Sequence, residues 1–203
     1  MPEFYQSDAR HDDALLVRAV VGGNTEAFKK LVHQYERLVC SIVFKMIDQK
    51  EDREDICQEV FIKVYDKLPH FRFQSKLSTW IGNIAFNHTV NFLKKKKLVL
   101  LEDLYGSKAD SEEENFTEIS FEARDADMMP DELLLTKEKK ELLGQRIERL
   151  PLIQKTILQL FHREEMSLEE ISTITALAVN TVKSHLFRAR KTLKIEMVKQ
   201  LNQ

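Results

Sequence analysis

"SLEEISTITALAVNTVKSHLFRARK", residues Ser167–Lys191, decides how the rest of the chain is read. Ser167 followed three residues later by Glu170 is a capping box, in which each side chain accepts the other residue's backbone N–H and opens a helix. Leu168, Ile171 and Ile174 give that short helix one apolar side. "ALAV" then reads as a turn, and a longer helix follows in which Val182, Leu186, Ala189 and Leu193 recur at helical spacing. From Asn180 to Lys191 there is no acidic residue, and Lys183, Ser184, His185, Arg188 and Lys191 fall on the outward side. A short helix, a tight turn and a longer cationic helix form a helix-turn-helix. Its outward residue types pair with phosphate oxygens and with purine edges in the major groove. A solvated amphipathic helix would also carry a charge run, but the two-helix unit at this spacing favours duplex DNA.

Upstream, Pro151 suits the first turn of a helix over "LIQKTILQLFHREE", and Asp131 and Glu132 open another over "ELLLTKEKKELLGQRIERL". Between residues 98 and 131 the chain is acidic and lacks a sustained apolar period, with scattered Leu100, Leu101, Leu104, Tyr105, Phe116, Ile119 and Phe121. It reads as an extended, flexible connector: either a solvated spacer or a segment that docks on a basic partner. Residues 1–100 carry 16 basic and 13 acidic side chains, residues 101–132 carry 2 and 12, and residues 133–203 carry 13 and 8. The overall charge of −2 therefore conceals two mildly basic blocks flanking an acidic one, a pattern suited to a polyanion.

The first block reads as about four helices: "DDALLVRAVVGG" with a glycine stop, "TEAFKKLVHQYERLVCSIVFKMI" capped by Asn24, "EDREDICQEVFIKVYDKL" stopped by Pro69, and "LSTWIGNIAFNHTVNFLKKKK" after the loop "PHFRFQSK". With 43% hydrophobic residues, only five Gly and four Pro, and no β pattern, the expected fold is all-α. Two small helical domains, 1–97 and 132–203, would be joined by the connector 98–131. No apolar run approaches the roughly 20 residues of a membrane span. The N-terminus lacks a signal-peptide pattern, which places the protein in the cytoplasm. Cys40 and Cys57 sit in apolar helical phases with no CxxC pair and no histidine at ligand spacing, so they read as reduced core thiols.

Three stretches, in order, carry a resemblance to bacterial RNA polymerase sigma factors of the extracytoplasmic-function (ECF) type. The family's D-x-E-D-L-x-Q-E-V-F stands here as Asp52, Glu54, Asp55, Ile56, Gln58, Glu59, Val60 and Phe61. Its S-x-F-x-T-W-L-x-x-I-A-x-N stands as Ser75, Leu77, Thr79, Trp80, Ile81, Ile84, Ala85 and Asn87. Its G-T-V-K-S-R-L-x-R-A-R stands as Asn180, Thr181, Val182, Lys183, Ser184, His185, Leu186, Phe187, Arg188, Ala189 and Arg190. The resemblance covers about residues 24–97 (sigma region 2) and 132–195 (sigma region 4).

It implies that Asp55, Gln58, Glu59, Phe61 and Ile62 bind core RNA polymerase on the clamp helices of β′, with β as a further contact. It implies that Arg72, Phe73, Gln74, Ser75, Lys76, Thr79, Trp80, Asn83, Asn87, Lys94 and Lys95 open and hold the promoter −10 element as a single strand. Cations for phosphates, aromatics that stack on bases, and amides for base edges fit that task. For Trp80, at helical spacing with Ile84, a core position is the stronger reading. The resemblance further implies that Asn180, Thr181, Lys183, Ser184, His185, Phe187, Arg188, Arg190 and Lys191 read the −35 duplex. An anti-sigma partner is implied by family habit alone.

The chain departs from the family pattern in several places. Gly82, Asn83 and Phe86 replace common cations, His185 replaces an arginine, Ala176 stands at the turn glycine, and Ala178 is a poor N-cap. Fewer phosphate contacts lower affinity and flatten its salt dependence, so weaker promoter binding and a recruiting DNA-binding partner are expected. The rival reading is a stand-alone helix-turn-helix regulator that binds duplex DNA without polymerase; it leaves the Phe71–Trp80 stretch without a task. An enzyme is disfavoured: no Ser/His/Asp or Cys/His set and no glycine-rich phosphate loop is evident, and the connector's acids lack fixed geometry for a metal. No cofactor is expected.

Overall fold

A computed structural model describes residues 4–96 and 140–201, with side chains over 11–96 and 140–198. The connector 98–131 and the start of the helix expected from residue 132 lie outside the described residues. Among the described residues every regular element is helical. In chain order these are α1 (Phe4–Val21), α2 (Thr25–Met46), α3 (Lys50–Lys67), a short 3-10 helix (Leu68–His70) and α4 (Leu77–Lys95). After the connector come α5 (residues 140–148), α6 (Leu152–His162), α7 (Leu168–Thr175) and α8 (Val179–Leu201).

Local chemistry sets the boundaries. α1 ends because Gly23 takes φ 87°, a conformation that costs glycine little. Its N–H then reaches Val20 O at 2.9 Å while the N–H of Asn24 reaches Ala19 O at 3.1 Å, the two bonds of a Schellman cap. Asn24 at once starts α2, its side chain accepting the Ala27 N–H at 3.1 Å. The start of α1 differs from expectation. The helix begins at Phe4, and Asp13, read as an opening acid, sits within it. The Asp13 carboxylate accepts the Tyr35 hydroxyl at 2.8 Å, fastening α1 to α2. Burial, joined by this bond and the carboxylate's charge, drives the Tyr35 phenol pKa upward and keeps it a donor.

α2 is the central helix. Leu31, Val39, Ile42 and Val43 are inaccessible to solvent, and α1, α3, α4 and α6 all pack around it. Cys40 and Cys57 are free thiols facing each other across α2 and α3, Sγ to Sγ 3.6 Å. α6, α7 and α8 continue the same apolar core, with Ile153, Ile157, Leu160, Ile171 and Val182 at 1% exposure or less. Each such side chain stabilises the fold by about 1.5–3 kcal/mol.

The two helical blocks meet directly: α4 packs on α7 and α2 on α6. Nothing in the sequence periodicity announced this meeting, because an apolar stripe declares which face is buried and not which helix covers it.

The helix-turn-helix is built as its sequence requires at the start and under strain at the turn. Both bonds of the Ser167–Glu170 capping box are present. Ala176, at the end of α7, takes φ 56°, the left-handed region where a β-carbon crowds the backbone. Ala176→Gly is therefore expected to stabilise the protein by about 0.5–1 kcal/mol, the relief of strain offset in part by glycine's looser unfolded chain. Thermal or urea unfolding of the two proteins checks it.

Candidate nucleic-acid interface

Three surfaces carry the residues singled out in the sequence. On α3, Asp55, Gln58 and Glu59 are exposed, and Ile62 stands 60% open to solvent. Asp55, Gln58 and Ile62 form one stripe at i, i+3 and i+7. The structure extends that stripe to Tyr65, 47% exposed, three residues beyond Ile62 and resting edge-on against Phe28 at 5.0 Å. Tyr65 was missed in the sequence; its i+3 spacing from Ile62 was the available signal. Two large apolar side chains beside a carboxylate and an amide are the composition of a protein-binding surface. Glu59 is engaged within the fold, its carboxylate 2.7 Å from His88 Nε2 on α4. Phe61 is turned into the core.

The second surface is the loop between the 3-10 helix and α4, with the face of α4 that follows it. Phe71 is buried and anchors an aromatic group, its ring 4.7 Å from Phe73 and 5.0 Å from Trp80. Trp80 is half-buried against the core through this stack. Phe73 is presented outward, 48% exposed, on a backbone at φ 57°. A bulky residue in that region is strained, and such strain gathers where a side chain must be held out for use. Arg72, Gln74, Ser75 and Lys76 are exposed around it. Asn87, Lys94 and Lys95 are exposed farther along α4. Thr79 is buried, its Oγ1 without a hydrogen-bond partner. Asn83 faces α7, and its Nδ2 donates to Thr173 O at 2.8 Å and to Ile174 O at 3.2 Å.

The third surface is the outer side of α8. Val182, Leu186, Ala189 and Leu193 are buried, in the phase the sequence showed. Asn180, Lys183 and Lys191 are exposed, and Thr181, Ser184, Phe187 and Arg188 lie partly open. Lys191 sits over the Phe187 ring at 5.8 Å, and the Ser184 hydroxyl donates back to Asn180 O at 2.9 Å.

On α8 two residues expected at DNA turn inward, as Thr79 does on α4. His185 is 5% exposed, because Val182, His185 and Ala189 stand at i, i+3 and i+7 on the buried side. Burial first, and then the nearby Arg188 charge, lower its pKa and favour the neutral ring. Arg190 reaches back to α6, its guanidinium 3.1 Å from His162 Nε2 and 5.3 Å above the Phe161 ring. Burial lowers its pKa from the usual guanidinium value. Its geometry is that of a brace between α8 and α6.

No group of three or more potential metal ligands occurs among the described residues, and none of the described helices is long and apolar enough to cross a membrane.

Comparison with known proteins agrees with this geometry. Residues 31–99 match the family description "Sigma-70 region 2" and residues 140–193 match "Sigma-70, region 4". The ECF RNA polymerase sigma factor SigW of Bacillus subtilis is 30% identical over 181 residues, spanning 89% of this chain and 94% of that protein. The ECF RNA polymerase sigma-E factor of Escherichia coli is 33% identical over 184 residues, spanning 89% and 92%. Among solved structures, CnrH in complex with the cytosolic domain of CnrY superposes with a TM-score of 0.61 at 16% identity, over 91% of this chain and 96% of that one. The sigma factor RpoE of Bartonella quintana, in complex with the anti-sigma factor NepR, gives 0.58 at 18% identity, over 85% and 96%. At those identities the structures show a shared fold, while the sequence relatives reach further. Regions 2 and 4, matched in order, and relatives 30–33% identical over about nine-tenths of both chains make this chain a member of the ECF family of RNA polymerase sigma factors.

Proposed function

We propose a division of labour among the three surfaces. The α3 stripe of Asp55, Gln58, Ile62 and Tyr65 docks on the β′ clamp helices of core polymerase. The loop of Arg72, Phe73, Gln74, Ser75 and Lys76, with Asn83, Asn87, Lys94 and Lys95 on α4, holds the unpaired −10 strand. α8 lies in the major groove of the −35 element, with Lys183, Ser184, Phe187 and Arg188 toward bases and Asn180, Thr181 and Lys191 toward the backbone. The domains divide at the connector, residues 1–97 and 132–203. The protein works in the cytoplasm and contributes recognition and strand opening, leaving catalysis to the polymerase. An anti-sigma protein is a fitting regulator, since the solved relative from Bartonella quintana is held by one.

The observation that carries this reading is Phe73, an exposed aromatic on a strained backbone, ringed by Arg72, Gln74, Ser75 and Lys76. A regulator that binds only duplex DNA has no task for it. Phe73→Gly suits the left-handed backbone and removes the ring. It should leave thermal stability unchanged or raised, and lower open-complex formation on linear promoters by about tenfold, the value of one stacked base. Permanganate reactivity of thymines around the −10 element reads the opening. Undiminished opening by the Phe73→Gly protein contradicts the assignment.

A further inference from the structure

The chain holds two cysteines, and the fold brings them together. Cys40 on α2 and Cys57 on α3 stand 17 residues apart in sequence, yet their sulfurs are 3.6 Å apart. Cys40 is partly open to solvent, and Cys57 is buried. Neither belongs to the three surfaces described above. The proton between the two sulfurs favours Cys57. Its hydrogen bond to Cys40 raises the Cys57 thiol pKa, and burial and then the charges of Cys40 and Glu54 push the same way. The same hydrogen bond lowers the Cys40 thiol below the ordinary range, against burial and the Glu36 charge. The thiol that ionises more readily is therefore the one that solvent reaches, and the thiolate is the nucleophilic form. Cys57, protonated and within contact distance, is placed to act second.

We propose that Cys40 and Cys57 form a site of oxidation by hydroperoxides, which join them in a disulfide that staples α3 to α2. The Cys40 thiolate attacks the outer oxygen of the hydroperoxide. The O–O bond breaks, the other oxygen leaves with the electron pair and takes up a proton as water or an alcohol, and Cys40 becomes a sulfenic acid. Cys57 then gives up its proton and attacks the Cys40 sulfur. The S–O bond breaks, and the oxygen leaves with that proton as water. The two thiols lose two electrons and the hydroperoxide gains them. Because the sulfurs already touch, closure asks for rotation of two side chains and little movement of the helices.

The bond would lie between the helices, while Asp55, Gln58 and Ile62 on α3 are exposed to solvent. The staple thus holds α3 on the central helix and leaves its stripe open. It also restricts the unfolded chain between the two cysteines, which favours the folded state. In a reducing compartment the bond is transient, and a dithiol reductant returns both thiols. Retained polymerase binding rests on the docking reading above; the oxidation site itself does not.

The test treats the full-length protein with hydrogen peroxide and follows intact mass, alkylation and thermal unfolding. A bridge within the chain should form, seen as the loss of two hydrogens, with neither cysteine open to iodoacetamide after denaturation. The melting temperature should rise by about 5–10 °C and return when dithiothreitol is added. Cys57→Ala should stop at a Cys40 sulfenic acid that dimedone captures, and Cys40→Ala should leave Cys57 unoxidised. Both thiols still open to alkylation, or a bridge formed only between two chains, overturns the site. A bridge that lowers the melting temperature overturns the staple. Core polymerase should bind the oxidised protein as it binds the reduced one, and a loss there overturns the open stripe. Asp55→Ala with Gln58→Ala, measured in the reduced protein, separates the two claims: polymerase binding left intact overturns the docking reading and leaves the oxidation site standing.

Discussion

Replacing Lys183 and Arg188 together by alanine is expected to lower transcription from −35-dependent promoters about a hundredfold, with binding to core polymerase unchanged. Lys183 is exposed and Arg188 half-buried, and neither belongs to the buried arc of α8 where Val182, Ala189 and Leu193 pack inward. Their removal therefore leaves the helix-turn-helix core as it is. A good contact to a base edge contributes about 1–3 kcal/mol of discrimination, and two at the low end give the hundredfold. The salt dependence of promoter binding should also flatten, by about 0.9 in log–log slope for each phosphate no longer neutralised. Run-off transcription at several salt concentrations, beside a pull-down of core polymerase, reads both halves. Equal loss of both functions would show that α8 supports the whole fold and does not read DNA by itself.

The opposite result is expected on α3. Asp55→Ala, Gln58→Ala and Ile62→Ala combined should weaken core polymerase binding more than a hundredfold and leave duplex binding by α8 untouched. All three side chains point to solvent, so their removal costs the fold little, within about 0.5 kcal/mol each. At a protein interface, a central side chain is commonly worth about 2 kcal/mol or more. Ile62 is the strongest candidate for that centre. It is the most exposed large aliphatic side chain on the stripe and is flanked by polar groups that fix orientation. Tyr65→Ala belongs to the same series, and its effect measures how far the interface runs along the helix. Equilibrium binding to core polymerase and circular dichroism on the same samples separate a weakened interface from an unfolded protein.

The helix-turn-helix was legible because three independent signals coincided there: the capping box, the inward phase of Leu168, Ile171, Ile174, Val182 and Leu186, and a run without acids. Within it, the charge run misled at His185 and Arg190. Polar residue type suggested an outward position, yet His185 shares the inward arc with Val182 and Ala189, a phase the sequence already contained. The α3 stripe was legible except at its end, where Tyr65 was passed over. The start of α1 was misplaced because Asp12 and Asp13 look like opening acids; Asp13 is instead a tertiary partner of Tyr35, a pairing between residues 22 apart that no local pattern encodes. The same holds for the meeting of α4 with α7. Gly82 and Asn83 read as losses when compared with a DNA-binding pattern, and as fits once Ile174 and the end of α7 lie against them.

The central claim is that this chain gives core RNA polymerase its promoters. The most direct measurement mixes purified protein, purified core polymerase and promoter fragments from the same genome, and scores the transcripts formed beside the DNA bound by the protein alone. The account predicts transcripts that require the protein, with little binding to DNA in the absence of polymerase. Tight duplex binding by the protein alone, with no transcript and no association with polymerase, would contradict it and identify a stand-alone helix-turn-helix regulator.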